Sequence, residues 1–146
     1  MRVFLVSAVI ALALPVLALA ASGSMSPVVS AKLKGSNESP VKGDPNGTGL
    51  VVLHLSTTKG TACWQFSHVA NIAKPAQAHV HKGRKGQSGP IVIPLGATYK
   101  AKGCRKASPT LIEAIETNPN RYYVNIHNAK YPGGAIRGQL VVGMIG

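Results

Sequence analysis

The sequence predicts an all-β domain: an antiparallel Greek-key β-sandwich or barrel that carries one short inserted helix at about residues 109–117. Three observations support this fold class. Apolar and polar residues alternate with a period of two in several stretches of the chain. Turn-forming Gly, Pro, Asn and Asp residues separate these stretches at short intervals. Only one stretch has the start and stop signals of a helix.

The first three strands are predicted from their patterning and from the turns between them. The stretch VVSAKLKG alternates Val29, Ala31 and Leu33 with polar residues, as a half-buried strand does. The turn KGDPNGTG then leads to the mostly apolar LVVLHL, and STTKG leads to TACWQFS. In the third strand we expect Trp64 to face the core and Cys63 to face the opposite side.

Four further strands, AHVH, PIVIPL, RYYVNIH and AIRGQLVVG, bring the predicted number to seven. Residues 96–106 show no periodicity and are predicted to form a long loop that carries Cys104. The helix is predicted in SPTLIEAIETNP, where Ser108 is the N-cap, Pro109 occupies the first helical position and Pro119 follows the end.

The N-terminus is typical of a secretory signal peptide, predicted over residues 1–20, because a basic start is followed by an apolar run that ends in small residues. Residues 21–27 are predicted to be a flexible N-terminus, and residues 28–146 a single β domain. We therefore expect a secreted protein, extracellular or periplasmic, that has no membrane span once the signal peptide is removed. In such an oxidising compartment Cys63 and Cys104 are expected to form a disulfide between the third strand and a loop lying over the sheet.

The charge is strongly positive, with a formal net charge of +12 and only four acidic residues. Such a surface attracts polyanions, so we expect an extracellular or cell-envelope partner, with the basic loop residues Lys82, Arg84 and Lys85 as candidate contacts. A solvated loop is the alternative interpretation of these three residues. Nucleic acid is the least favoured polyanion because the chain has few aromatic residues for base stacking. The acidic residues offer neither a glycosidase carboxylate pair nor a buried triad aspartate, which disfavours an enzyme.

Three separated motifs resemble the CHRD (chordin) domain. They are LKGSNESP at residues 33–40, AHVHKG followed by GPIVIPL, and the closing YYVNIHNAKYPGGAIRGQL. The resemblance implies a secreted all-β domain with no assigned activity. It also implies structural roles for residues of the closing motif, namely Asn125, Pro132, Gly133, Gly134, Arg137, Gly138 and Gln139.

Histidines form the candidate metal site. Alternation places His79 and His81 on one face of their strand, and the same parity places His127 on the outer face of RYYVNIH. If the two strands are neighbours, three imidazoles project from one side and can bind Cu(II) or Zn(II) at a solvent-facing site. The alternative is that these histidines only hydrogen-bond to covering loops. His54 is expected to be partly buried, and His68 exposed.

Two functions of different classes follow. The first is a secreted, non-enzymatic CHRD-type binding or structural module that has no cofactor and contacts its partner through a basic surface. The second is a copper- or zinc-binding protein that uses His79, His81 and His127, with redox chemistry open to it if the metal is copper.

Overall fold

The computed structural model describes residues 27–145, which form a nearly closed, barrel-like antiparallel sheet with one short α-helix. The all-β prediction is confirmed. The predicted signal peptide, and all but the last residue of the predicted flexible N-terminus, lie outside the described residues. The elements are β1 (Val28–Lys34), β2 (Thr48–Ser56), β3 (Thr61–Ala70), β4 (Pro75–Lys82), β5 (Ile91–Pro94), β6 (Lys102–Lys106), α1 (Pro109–Thr117), β7 (Tyr122–Asn128), β8 (Ile136–Gln139) and β9 (Val141–Val142).

The strands follow the order β5-β4-β7-β8-β1-β2-β3-β6, and β9 pairs with β1. Alternation along each strand sends one set of side chains into a common core, which contains Leu33, Leu53, Trp64, Val80 and Ile126. Trp64 faces inward as predicted, and its indole N–H donates to the Lys100 carbonyl at 2.9 Å. The sheet therefore has one continuous apolar interior.

Two details of the strand prediction were wrong. The last predicted strand, AIRGQLVVG, is divided into β8, which lies between β7 and β1, and β9, which pairs only with β1. Residues 96–106 were predicted to be a loop, but they include β6, which pairs with β3 at the edge of the sheet. Only Gly103 of β6 lies against the ring of Trp64, so no apolar side chain marks the inward face of this strand.

The disulfide joins Cys63 of β3 to Cys104 of β6, which are directly opposed in the register. The predicted pairing is present. The expectation that Cys104 is carried by a loop lying over the sheet was wrong, because the bond links two neighbouring strands of the same sheet. It therefore fastens the edge strand to its neighbour.

The predicted helix is confirmed as α1, with the predicted bounds. The Ser108 hydroxyl accepts a hydrogen bond from the Leu111 N–H at 3.2 Å, which satisfies one of the free donors of the first turn. Ile112 and Ile115 are buried against the core, and so the helix covers part of the β2–β3 side of the sheet. Among residues 27–145, no helix has the length and apolar character needed to cross a membrane.

Candidate metal centre

The site begins with the pairing of β4 and β7. These strands are antiparallel neighbours in which His79 lies opposite Asn125 and Gln77 lies opposite His127. Because outward residues of neighbouring strands share one face, the three predicted ligands come together. One ligand atom from each of His79, His81 and His127 can be chosen so that all three lie within 4.8 Å of one another. The prediction that these three histidines lie together is confirmed. Their role as metal ligands stays a prediction.

The expectation that this site faces open solvent was wrong. His79 and His81 are each only 8% exposed, and Asn125 is 2% exposed. Two loops cover this outer face: the basic loop, residues 83–90, between β4 and β5, and the Pro-Gly-Gly loop, residues 129–135, between β7 and β8. The site is therefore a polar layer enclosed between the sheet and its loops.

The loop carbonyls fix the protonation of two rings. The Nδ1 atoms of His81 and His127 lie 2.9 Å from the carbonyl oxygens of Gly89 and Pro132, respectively. A carbonyl only accepts, so each Nδ1 must carry the hydrogen. In the neutral rings Nε2 then has a free lone pair, which is the form that a metal ligand requires. Nε2 of His81 is buried and makes no hydrogen bond of acceptable geometry within residues 27–145, although the Asn125 side chain lies near enough to the ring to raise its pKa.

His79 completes the arrangement. Its Nδ1 lies 3.1 Å from Nε2 of His127. Because that Nε2 is the acceptor in neutral His127, Nδ1 of His79 is the donor. The ring pairs are close as well, with centroids 4.9 Å apart for His79 and His127 and 5.6 Å apart for His79 and His81. One hydrogen atom thus occupies the space between two nitrogens that could instead share a cation.

Burial keeps these rings neutral. Burial, together with smaller contributions from the nearby His127 and His81, lowers the pKa of His79 to about 4. Burial also lowers the pKa of His81 and of His127, while the Gly89 and Pro132 carbonyls oppose this effect. At neutral pH all three imidazoles are therefore uncharged and able to coordinate.

Tyr123 and Arg137 support His81 from the side. The rings of His81 and Tyr123 are stacked, with centroids 4.7 Å apart, and Cζ of Arg137 lies 3.3 Å from the centroid of Tyr123. Arg137 is 2% exposed, and its Nη2 donates to the carbonyls of Arg84 and Gln87. The guanidinium therefore holds the same loop whose Gly89 carbonyl orients His81.

Glu38 is a buried residue that the sequence analysis did not assign to the site. It is 2% exposed, and burial raises its pKa to about 7, against the opposing effects of Arg137 and the Asn125 amide. Gly134 (φ 139°) lies directly against the carboxylate, leaving no room for a side chain there. The sequence did offer a signal for this contact, because Glu38 belongs to the first CHRD motif, and Arg137 and Gly134 belong to the last.

The other motif residues have mainly structural positions. Gly138 lets β8 approach the backbone of β1 at Lys32. The Gln139 amide donates to the carbonyls of Gly83, Asn120 and Tyr122, which ties the start of the basic loop to β7. Gly133 is exposed, and a Cβ there would meet nothing within 4 Å.

The basic residues predicted to contact a polyanion and the other two histidines are not part of the histidine site. Lys82, Arg84 and Lys85 are all exposed, as expected for polyanion contacts or for a solvated loop. His68 is exposed, as predicted. His54 is also exposed, so the expectation of partial burial was wrong: it points outward from β2, where no loop of residues 27–145 covers the sheet as at β4 and β7.

The sequence profile of the CHRD domain matches residues 29–140. The chain belongs to the CHRD domain family. Neither the curated proteins nor the solved structures contain a match to it. A CHRD domain suggests a binding module of extracellular type, and the Cys63–Cys104 disulfide fits an oxidising compartment.

Proposed function

We propose that this CHRD domain is a secreted, non-enzymatic binding module that holds one Cu(II) or Zn(II) ion through His79, His81 and His127. The observation that carries the proposal is the set of three neutral imidazoles with ligand atoms within 4.8 Å, of which Nε2 of His81 is buried without a hydrogen bond of acceptable geometry within residues 27–145. An unpaired buried polar atom costs free energy, and a bound cation would remove that cost.

The hydrogen bonds of the second ring nitrogens support the same function. Metal-ligating histidines usually donate their other N–H to a carboxylate or a backbone carbonyl, which orients the ring. His81 and His127 donate to Gly89 and Pro132 in this way. These contacts exist before any metal binds, so little ordering of the two rings would be needed.

The spacing of His79 and His127 is also suitable. Two nitrogens bound to one tetrahedral Zn(II) are about 3.3 Å apart, given Zn–N bonds of about 2.0–2.1 Å. The observed separation between Nδ1 of His79 and Nε2 of His127 is 3.1 Å. A metal ion could therefore replace the hydrogen between them, and that hydrogen would move to Nε2 of His79, so that the ring stays neutral and no net proton is released.

The test is a titration of the purified, chelator-treated protein with Cu(II) and with Zn(II), followed by calorimetry and, for copper, electron paramagnetic resonance. We expect one ion per chain and a nitrogen-rich copper signal. His79→Ala, His81→Ala and His127→Ala should each weaken binding at least about tenfold.

His54→Ala and His68→Ala are the matched controls, because both residues are exposed on other strands. They should leave the affinity and the copper signal unchanged. An affinity that falls equally in the controls, or a copper signal dominated by oxygen ligands, would contradict the proposal. The alternative function of the same histidines is purely structural, and it predicts no stoichiometric binding.

A further inference from the structure

A cavity lies away from the three histidines, over the outer face of β1 and β8. Its volume is about 270 Å³, and its wall shares one residue with the surroundings of the histidine site, Arg137. The lining residues come from three strands (β1, β8 and β9), the segment after β1, the basic loop and the C-terminal segment. They are Lys32, Asn37, Lys85, Arg137, Gln139, Val141 and Ile145.

The charged residues of 27–145 that line this cavity are all basic. They are Lys32, Lys85 and Arg137, and no Asp or Glu of this part of the chain is among them. Glu38, the acid that interacts with Arg137, is not among the lining residues. Cations that converge on a concave surface raise the local concentration of anions more than the same charges spread over a flat surface.

Arg137 gives the cavity a positive charge in a fixed position. Its side chain is held by the stack on Tyr123 and by the two carbonyls that Nη2 contacts. Nη1, in contrast, is buried and has no hydrogen-bond partner. A guanidinium charge that is held in place at the wall of a cavity favours a ligand group with negative charge.

We propose that this cavity binds one anionic group, a sulfate or a carboxylate, of an acidic polysaccharide. The volume is near the lower end of the range for ligand sites and suits one charged sugar unit. Val141 and Ile145 offer apolar contact to the sugar ring. No aromatic side chain lines the cavity, so a nucleic acid base would have nothing to stack on.

The three basic residues of the loop should contribute unequally to binding. Lys85 lines the cavity, whereas Lys82 and Arg84 do not, although all three are exposed. Lys32 lies on the outer face of β1 together with Lys34, whose partner on β8 is Arg137, and of these two lysines Lys32 is the one that lines the cavity. Binding should therefore depend on Lys32 and Lys85 more than on their equally charged neighbours.

The experiment measures binding of two probes by calorimetry in low salt: a sulfated disaccharide prepared from heparin, and a galacturonic acid trimer. Lys32→Gln and Lys85→Gln should each weaken binding of at least one probe about tenfold. Lys82→Gln and Arg84→Gln remove the same charge from the same region and should change the affinity less than about threefold. All four residues are exposed, so the variants should fold normally.

Three results would overturn the proposal. Equal losses in all four variants would mean that the attraction is a diffuse surface effect. Inorganic sulfate that binds as tightly as either sugar would mean a site for the free ion. A single-stranded oligonucleotide that binds more tightly than both sugars, with the same dependence on Lys32 and Lys85, would mean a nucleic acid site. His79→Ala should leave sugar binding unchanged, which separates this site from the proposed metal centre.

Discussion

His54 on β2 and His79 on β4 occupy the same kind of position, an outward site on a strand whose neighbouring residues face the core. Yet His54 is exposed and His79 is 8% exposed. The difference lies in the loops. Loops fold back over β4, β7 and β8, whereas the outer face of β2 and β3 around His54 stays open. A strand pattern sets the direction of a side chain, and the connections decide whether it becomes a surface residue or part of a site.

The two halves of the sheet are also stabilised differently. The covered half is held by buried polar contacts that converge on Arg137. The open half is held by the Cys63–Cys104 bond between β3 and β6. The two halves share one apolar core, so a change in either half should lower the stability of the whole domain, but it should alter local contacts and binding only in its own half.

The largest effect is expected for Arg137→Met. This change removes the stack on Tyr123 and both loop contacts, and it leaves Glu38 without its cationic neighbour. We expect the free energy of unfolding in urea to fall by about 3–5 kcal/mol. Arg105→Met, on the exposed edge strand β6, is the control and should change it by less than about 0.5 kcal/mol. Equal effects would mean that Arg137 does not hold the covered half together.

Loss of the disulfide should have the next largest effect. Cys63→Ser with Cys104→Ser is expected to lower the free energy of unfolding by about 2–4 kcal/mol, because the bond closes a long chain segment. The affinity for Cu(II) should be unchanged, since the histidines lie on β4 and β7. A large fall in metal affinity would show that the halves are coupled.

Glu38→Gln should remove one of two opposing contributions to the pH dependence of the free energy of unfolding. The pKa of Glu38 is raised from 4.5 to about 7, so the folded state retains a proton that the unfolded state releases, and stability falls as pH rises through this window. The pKa of His79 is lowered from 6.5 to about 4, so its contribution has the opposite sign: stability falls as pH drops through that window. In the wild type the two effects partly cancel.

The variant removes the first effect and keeps the second. Relative to the wild type, Glu38→Gln should gain roughly 3 kcal/mol of unfolding free energy between pH 4 and pH 8. The measurement is urea unfolding of the metal-free proteins at several pH values. Parallel pH profiles would show that Glu38 does not titrate differently in the folded chain.

The smallest effect is expected for the contact between the basic loop and the segment after β1 that carries Ser39. The Ser39 hydroxyl donates to the Gly86 carbonyl, and the Ser88 hydroxyl donates to the Ser39 carbonyl. Ser39→Ala should cost no more than about 1 kcal/mol, because the contact is exposed. It should nevertheless speed amide hydrogen exchange in the basic loop, whereas Ser36→Ala, at an exposed neighbour, should not.

Much of this architecture could be predicted from local patterns. The helix was found because Ser108 and Pro109 give its start, and the histidines were grouped because β4 and β7 follow strict alternation. β6 was missed because its inward position is Gly103, which makes room for the Trp64 ring and leaves a strand without an apolar pattern. Edge strands of this kind carry little periodicity to detect.

The enclosure of the site could not be predicted in the same way. Alternation separates the two faces of a strand, but it contains no information on a loop that folds over the outer face. Glu38 lies just after β1, in a segment without a period, and it meets Arg137 and Gly134 only through contacts distant in sequence. Its position within a family motif was the sole available signal.

The two free edges of the sheet have a consequence for self-association. β5 and β6 end the strand order of residues 27–145, and an unpaired edge is a template for another chain. β6 carries Lys102, Arg105 and Lys106, so a second copy would meet like charge along its whole length. β5 ends in Pro94, which has no N–H to donate. Both free edge strands therefore disfavour pairing with a strand of another chain, and concentrated solutions of the protein should resist fibre formation.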